Sequence, residues 1–237
     1  MERNLSVGEV FGTAFSAFGA RARVVLPIAF AGALLVLAVT ALVGESGGGF
    51  VLGFAVDMAY FALVAAVAMV VLRDLRERRP NSSAGELLAS ALPPLPAATL
   101  VASLALAGLI AGTLFLIVPA LYLMTIWAVV LPVVVVERPS VFDAFGRSRQ
   151  LVSGNGWNVF GIALLLGALL LLVSAPLAFI LQRQVEGELW NILAGSLVSS
   201  LITPFEALVL GVLYFRLLDI ETAQPPPSLS GAPVYGD

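Results

Sequence analysis

Residues 97–136 form a stretch of 40 consecutive positions without one charged side chain. A bilayer core about 30 Å thick is crossed by roughly 20 apolar residues in a helix. The stretch is therefore twice as long as one span, and we divide it near residues 112–119. The alternative is one span followed by a buried or re-entrant segment, and the positions of the arginines decide between the two.

Four other apolar runs are as long as a span, in a chain that is 60% hydrophobic and 11% charged. Soluble proteins are about 25% charged, and no stretch outside the runs is long enough for a separate soluble domain. The first run begins only at Val24, which favours a retained span over a cleaved signal peptide. We predict an all-α integral membrane protein with six transmembrane helices, at residues 24–43, 50–72, 96–112, 119–136, 159–181 and 190–215.

Arginine supplies every basic side chain, because lysine is absent. With six spans, 11 of the 12 arginines fall on one side of the membrane and only Arg183 falls on the other. With five spans, the loop that carries Arg138, Arg147 and Arg149 would join Arg183, and the asymmetry would largely vanish. Arginine-rich loops face the cytoplasm, so six spans place both termini there and short loops at residues 44–49, 112–119 and 182–188 outside.

Composition also excludes several kinds of chemistry. The chain has no cysteine and no histidine, so it lacks thiols, the commonest metal ligand and the usual base at neutral pH. The net charge of −3 gives no reason to expect nucleic acid. We expect no cofactor, no metal and no enzymatic activity. The lack of lysine, with much alanine, glycine, valine and leucine, is typical of GC-rich bacteria, so we expect the bacterial cytoplasmic (inner) membrane.

One short pattern occurs three times, at residues 6–11, 83–88 and 140–145, each time before a pair of apolar runs. A serine stands three residues before Glu9, Glu86 or Asp143, which is the signature of a capped helix start. We predict three repeats of an amphipathic interfacial helix plus a transmembrane hairpin, at about residues 3–72, 81–136 and 139–216. The membrane domain would cover residues 1–221, and the Pro-rich residues 222–237 would be a disordered cytoplasmic tail.

Two carboxylates fall inside the predicted spans, Asp57 and Glu206. Acids at this depth face the bundle interior or water and are functional candidates. Thr203 precedes Pro204, whose missing N–H frees a carbonyl that the threonine can help to satisfy. We take Asp57, Glu206 and Thr203 as a candidate intramembrane polar site. The alternative is that each acid is only hydrogen-bonded within the fold, with Tyr60, Thr125 or Tyr214 as neighbours.

Arg138, Arg147 and Arg149 lie around the third amphipathic segment and are candidate contacts for lipid headgroups. Arginines at this depth attract anionic phosphates by about 1 kcal/mol each. The alternative is that these arginines only determine the membrane topology and that the amphipathic helices serve only packing. Two prolines, Pro132 and Pro176, are expected to kink their spans. A small-residue surface around Gly108 and Gly112 is expected to allow close helix packing.

Several strings together resemble a known family. They are residues 132–137, 144–151, 154–157, 203–205 and 213–216, with residues 5–11 at the start of the chain. The chain resembles the bacterial six-span family called the glycerophosphoryl diester phosphodiesterase membrane domain, which has YciC-like relatives. The resemblance covers about residues 3–220 and implies a fold and a location, but little about activity. The catalytic phosphodiesterase domain fused to some relatives has no counterpart here. Glu206, where the family has an apolar residue, is a departure from its pattern.

The functional hypotheses follow from this architecture. The first is a non-catalytic membrane scaffold or accessory factor that organises lipid or partner proteins. The second is a carrier for a lipid or small amphiphile through a cavity between the three hairpins. An intramembrane enzyme is disfavoured because no histidine, cysteine or close pair of carboxylates is present. The expected partners are membrane lipids and either a protein partner or a second copy of the chain.

The topology can be tested by cysteine labelling, because the chain has no native thiol. Cysteines introduced at Gly47 and Glu186 should react with an impermeant maleimide added outside intact cells. Cysteines at Ser82 and Ser153 should react only after the membrane is permeabilised. Labelling of Ser82→Cys from outside would contradict six spans with cytoplasmic termini.

Overall fold

The computed structural model describes residues 5–43, 47–79, 82–184 and 188–223, and in these ranges it is helical without strands. Six helices or helix pairs are long and apolar enough to cross a membrane, which confirms an all-α, multi-pass membrane architecture. In chain order the helices are α1 (Val7–Val43), α2 (Gly47–Arg76), α3 (Ala84–Ala91), α4 (Leu95–Phe115), α5 (Ile117–Ile126), α6 (Val130–Glu137), α7 (Val141–Val152), α8 (Gly156–Gln184) and α9 (Glu188–Ala223).

The long uncharged stretch divides where the sequence predicts. Helix α4 ends at Phe115, Leu116 is extended, and α5 begins at Ile117. Gly112 lies so close to the backbone of Ala120 that a Cβ there would be about 3.2 Å from it. A glycine at this position therefore lets the two helices approach closely at the turn. Of the other outer loops, residues 44–46 and 185–187 lie outside the described residues, as does the predicted tail from residue 224.

Two of the three capped starts form as predicted. Ser83 caps α3 in a full capping box, in which its backbone N–H donates to Glu86 at 2.7 Å. This hydrogen bond lowers the pKa of Glu86, so the capping box stabilises the helix at neutral pH and is lost as the pH falls through that pKa. Ser140 caps α7 by accepting a hydrogen bond from the Asp143 N–H at 3.3 Å.

The first copy of the pattern differs from the prediction of a separate interfacial helix. Helix α1 continues from Val7 to Val43 without interruption and carries Pro27 inside it. Gly19 is the one glycine or proline between Phe18 and the span at Val24, and the helix continues through it without a break. The amphipathic segment is therefore the first half of a long helix.

Three helices form the centre of the bundle. The second helix of each predicted hairpin lies in the centre, where α2, α6 and α9 contact one another. The first helix of each hairpin lies outside, and each contacts two central neighbours: α1 contacts α9 and α2, α4 contacts α2 and α5–α6, and α8 contacts α5 and α9. Between α2 and α9, Gly211 leaves room for the Met69 side chain.

The fourth span is broken, as the predicted kink at Pro132 suggests. Helix α5 ends at Ile126 and α6 begins at Val130, because Pro132 has no N–H with which to continue the helical hydrogen bonds. The Val130 N–H donates to the Trp127 carbonyl at 3.0 Å, so the Ile126 carbonyl lacks its helical donor and accepts a hydrogen bond of 2.8 Å from the hydroxyl of Ser148 on α7. Pro176 has no such effect, since α8 continues through it to Gln184.

We expect Ser148→Ala to destabilise the protein by about 1–2 kcal/mol, because the Ile126 carbonyl would stay buried without a donor. Ser16→Ala is the matched control, since the Ser16 hydroxyl bonds only the Gly12 carbonyl of its own helix and is exposed. Thermal unfolding of the purified protein in detergent measures both. Equal effects of the two substitutions would contradict the role of Ser148.

Candidate functional site

The charged ends of the helices meet at one end of the bundle, around Arg147 of α7. Arg147 donates two hydrogen bonds to Glu221 of α9, at 2.6 and 2.7 Å, and one to Glu137 at the end of α6, at 2.9 Å. Tyr214, whose side chain is fully buried, donates from its hydroxyl to the other oxygen of Glu137 at 3.0 Å. Four side chains from three helices thus form one connected network.

This network includes two residues that the sequence analysis singled out. Arg147 was a candidate for headgroup contact, but its guanidinium is bound by two carboxylates, which also raise the pKa of Arg147 further. Tyr214 was a candidate neighbour for the intramembrane acids, but its hydroxyl bonds Glu137 instead. Both residues hold α6, α7 and α9 together.

Two more ion pairs cross the same end of the bundle. Arg76 at the end of α2 pairs with Asp219 of α9 at 2.7 Å, and its guanidinium lies 4.7 Å from the centre of the Phe215 ring. Arg216 lies 3.5 Å from Glu9 near the start of α1. These contacts place the ends of α2, α6 and α9 and the starts of α1 and α7 on one face of the protein.

Arg149, the second headgroup candidate, lies in a groove of about 680 Å³ between α5 and the junction of α7 and α8. Most polar side chains of this groove are gathered at the junction, where Ser153, Asn155 and Asn158 accompany Arg149, and Thr125 lies on the α5 side. Trp157, which is 87% exposed, stands beside them. The remaining wall is mostly apolar and is supplied by Val118, Leu121, Tyr122, Ile126, Val152 and Phe160. We call this feature the junction groove.

Arg138, the third headgroup candidate, follows α6 in a left-handed conformation with φ 54°. It lines a polar recess of about 460 Å³ between α2, α3 and α6, together with Arg73 and Arg79. Arg73 and Arg79 both pair with Glu77. Arg138 has no carboxylate partner among the residues that the structure describes.

The candidate intramembrane polar site is divided between two places. Asp57 lines a small recess of about 240 Å³ between α1, α2 and α9, together with Tyr60 and Ser199. The Tyr60 hydroxyl is buried and has no hydrogen-bond partner in the described part of the chain, although Thr203 lies beside it. Thr125, named as a neighbour for the acids, donates instead to the Leu121 carbonyl.

Glu206 does not line the Asp57 recess but a cavity of about 420 Å³ between α2, α4, α5–α6, α8 and α9. We call it the Glu206 cavity. Glu206 is its one charged residue among those described, and no hydrogen bond or ion pair to Glu206 is formed within that part of the chain. Glu206 thus lines an interior cavity, and the hydroxyls of Thr125 and Tyr214, which were offered as neighbours for the acids, bond Leu121 and Glu137 instead.

Sequence analysis missed the carboxylates that hold the arginines. Glu137 and Glu221 are separated by 84 positions, and only the packing of α6 against α9 shows that they meet at Arg147. The sequence did contain a signal. Glu137 and Glu221 follow the ends of the fourth and sixth predicted spans, and the capped helix α7 carries arginines that could pair with them. In the described ranges no group of three or more acids could hold a metal ion.

Comparisons with known proteins assign neither a family nor a function to this chain. No family model, no curated protein and no solved structure matches this chain. The function is therefore argued from the geometry above.

We expect Arg147→Lys to destabilise the protein by about 1–3 kcal/mol, because an ammonium cannot bond both carboxylates in the planar, forked geometry of arginine. The matched control is Arg216→Lys, whose single contact with exposed Glu9 should contribute less than about 1 kcal/mol. Thermal unfolding in detergent at low and high salt compares the two. A larger loss in Arg216→Lys would contradict the central place of Arg147.

Proposed function

We propose that this chain is a non-catalytic accessory protein of the bacterial cytoplasmic membrane that organises anionic lipid. The observation that supports this proposal is the junction groove, whose polar residues stand at one end and whose apolar wall follows the fourth and fifth spans. A phospholipid has the same division, with a charged phosphate at one end and acyl chains along the rest. Arg149 carries the positive charge that a phosphate requires.

The position of Arg149 on α7 supports a role for its charge in binding a phosphate. Successive residues of an α-helix point about 100° apart. Ser148 points into the bundle, and Arg147 turns towards α6 and α9, where its charge is neutralised. Arg149 turns the other way, into the groove, and has no acidic partner in the described ranges. Its charge is thus free to meet a phosphate.

The same proposal includes three similar units around a pseudo-threefold axis, each an amphipathic helical segment followed by a transmembrane hairpin; in the first unit the segment is continuous with the span. The cyclic order of packing supports it, because every outer helix contacts its own hairpin partner and the central helix of the preceding unit. The membership proposed from the sequence, in the glycerophosphoryl diester phosphodiesterase membrane-domain family, agrees with this arrangement. With cytoplasmic termini, the arginine-rich end would face the anionic inner leaflet.

We expect Arg149→Gln to weaken the binding of phosphatidylglycerol by about fivefold, which corresponds to about 1 kcal/mol for one arginine near phosphate. Native mass spectrometry of the purified protein, titrated separately with phosphatidylglycerol and with phosphatidylethanolamine, measures lipids bound per chain. The preference for the anionic lipid should fall in Arg149→Gln.

The matched control is Arg23→Gln, which removes an exposed arginine outside the junction groove. It should retain the binding of wild type within about twofold, since loss of one distant surface charge acts only through screened attraction. If both variants lose anionic lipid equally, the chain attracts lipid by general charge and the groove is not a site.

A carrier for a lipid or small amphiphile is the second candidate function. The observation that favours it is the broken fourth span, whose residues 125–128 line the junction groove on one side and the Glu206 cavity on the other. Broken helices often mark the substrate sites of transporters. Reconstituted vesicles with fluorescent phosphatidylglycerol would show transfer between leaflets if the protein is a carrier, and binding alone if it is an accessory factor.

A further inference from the structure

We propose that the Glu206 cavity is a binding site for a hydrophobic molecule with one positive charge, such as an amphiphilic amine. This site goes beyond the proposed function, since it differs from the junction groove in location, in charge and in ligand. The groove offers an arginine to an anion, whereas the cavity offers a carboxylate to a cation. The two can be tested separately.

The first argument is the shape and lining of the cavity. Its volume of about 420 Å³ falls within the range of roughly 300–1,000 Å³ that is usual for small-molecule sites. Apart from Glu206, its described lining is apolar, and it includes two methionines, Met58 and Met124. Methionine is flexible and polarisable, and it adapts to ligands of different shape.

The second argument is the charge of Glu206. An ionised carboxylate in an apolar site is costly unless a cation neutralises it. No arginine lines the described cavity and lysine is absent from the chain, so no basic residue is available to Glu206 there. The carboxyl group must therefore hold a proton or meet a positive charge that comes from outside the chain. A bound cation would replace the proton.

The third argument is Trp127, which lines the same cavity at the break of the fourth span. Its ring lies against Gly108 of α4, where a Cβ would approach the ring to 2.5 Å, and it contacts Phe145 at a centroid distance of 4.9 Å. These contacts fix the ring at the cavity wall. An indole face attracts cations, so an aromatic surface and a carboxylate are combined in one apolar site.

The test uses tetraphenylphosphonium, a hydrophobic cation, and tetraphenylborate, an anion of nearly the same size and shape. Equilibrium dialysis of the purified full chain in detergent, corrected with protein-free micelles, measures saturable binding of each. We expect wild type to bind the cation and not the anion. Equal binding of both ions, or no saturable binding of the cation, would overturn the proposal.

Glu206→Gln should weaken binding of the cation at least tenfold, because the amide retains the size of the side chain and removes its charge. The matched control is Asp57→Asn, which makes the same change at the other carboxylate within the spans, in a separate recess. This control should bind within about twofold of wild type. Unchanged binding by Glu206→Gln would overturn the proposal.

A second pair of variants leaves the carboxylate in place, so the proposal can be judged even if Glu206→Gln does not fold. Gly167→Leu adds a side chain at the cavity wall, and Gly161→Leu adds one elsewhere on the same helix. In both cases the new Cβ would meet nothing within 4 Å. We expect Gly167→Leu to weaken binding of the cation at least fivefold and Gly161→Leu to leave it unchanged. Equal binding by both would place the ligand outside the cavity.

Discussion

The structure depends on one constraint, which is that a backbone carbonyl inside a membrane must find its hydrogen-bond donor within the protein. At the break of the fourth span the Val130 N–H bonds the Trp127 carbonyl, which leaves the carbonyl of Ile126 without its helical donor, and Ser148 supplies one. This contact fixes α7 against the span and sets the rotation of the helix. Arg147 then meets Glu137 and Glu221, and Arg149 is left on the groove side. One buried hydrogen bond thus determines which arginine is structural and which is free to bind.

Charge pairing makes a similar division among several charged side chains of the described helices. At the arginine-rich end, Arg76, Arg147 and Arg216 are held by acids of neighbouring helices. Arg149 and Arg138 form no such ion pair in the described part of the chain; Arg149 lines the junction groove, and Arg138 lines a recess that also holds Asp74 and Glu86. Glu206 is the reverse case, an acid without a base in an apolar cavity. The charges that the fold does not use therefore indicate where ligands of opposite charge could bind.

The sequence predicted the parts of this architecture that depend on local composition. Run length and charge placement defined the six spans, and the serine–acid spacing identified the starts of α3 and α7, because these effects act within a few residues. The amphipathic start of the chain was predicted as a separate helix, since its pattern does not show whether the helix continues. The partners of Arg147 and Glu206 were not predictable, because they depend on how α6, α7 and α9 pack over long sequence separations.

A structure determined in nanodiscs that contain phosphatidylglycerol tests the central claim most directly. The account predicts lipid density in the junction groove, with a phosphate within hydrogen-bond distance of Arg149 and acyl chains along α5. Arg147 should remain bound to Glu137 and Glu221 in the same structure. A groove without lipid, or Arg149 paired with a carboxylate of the protein, would contradict the account.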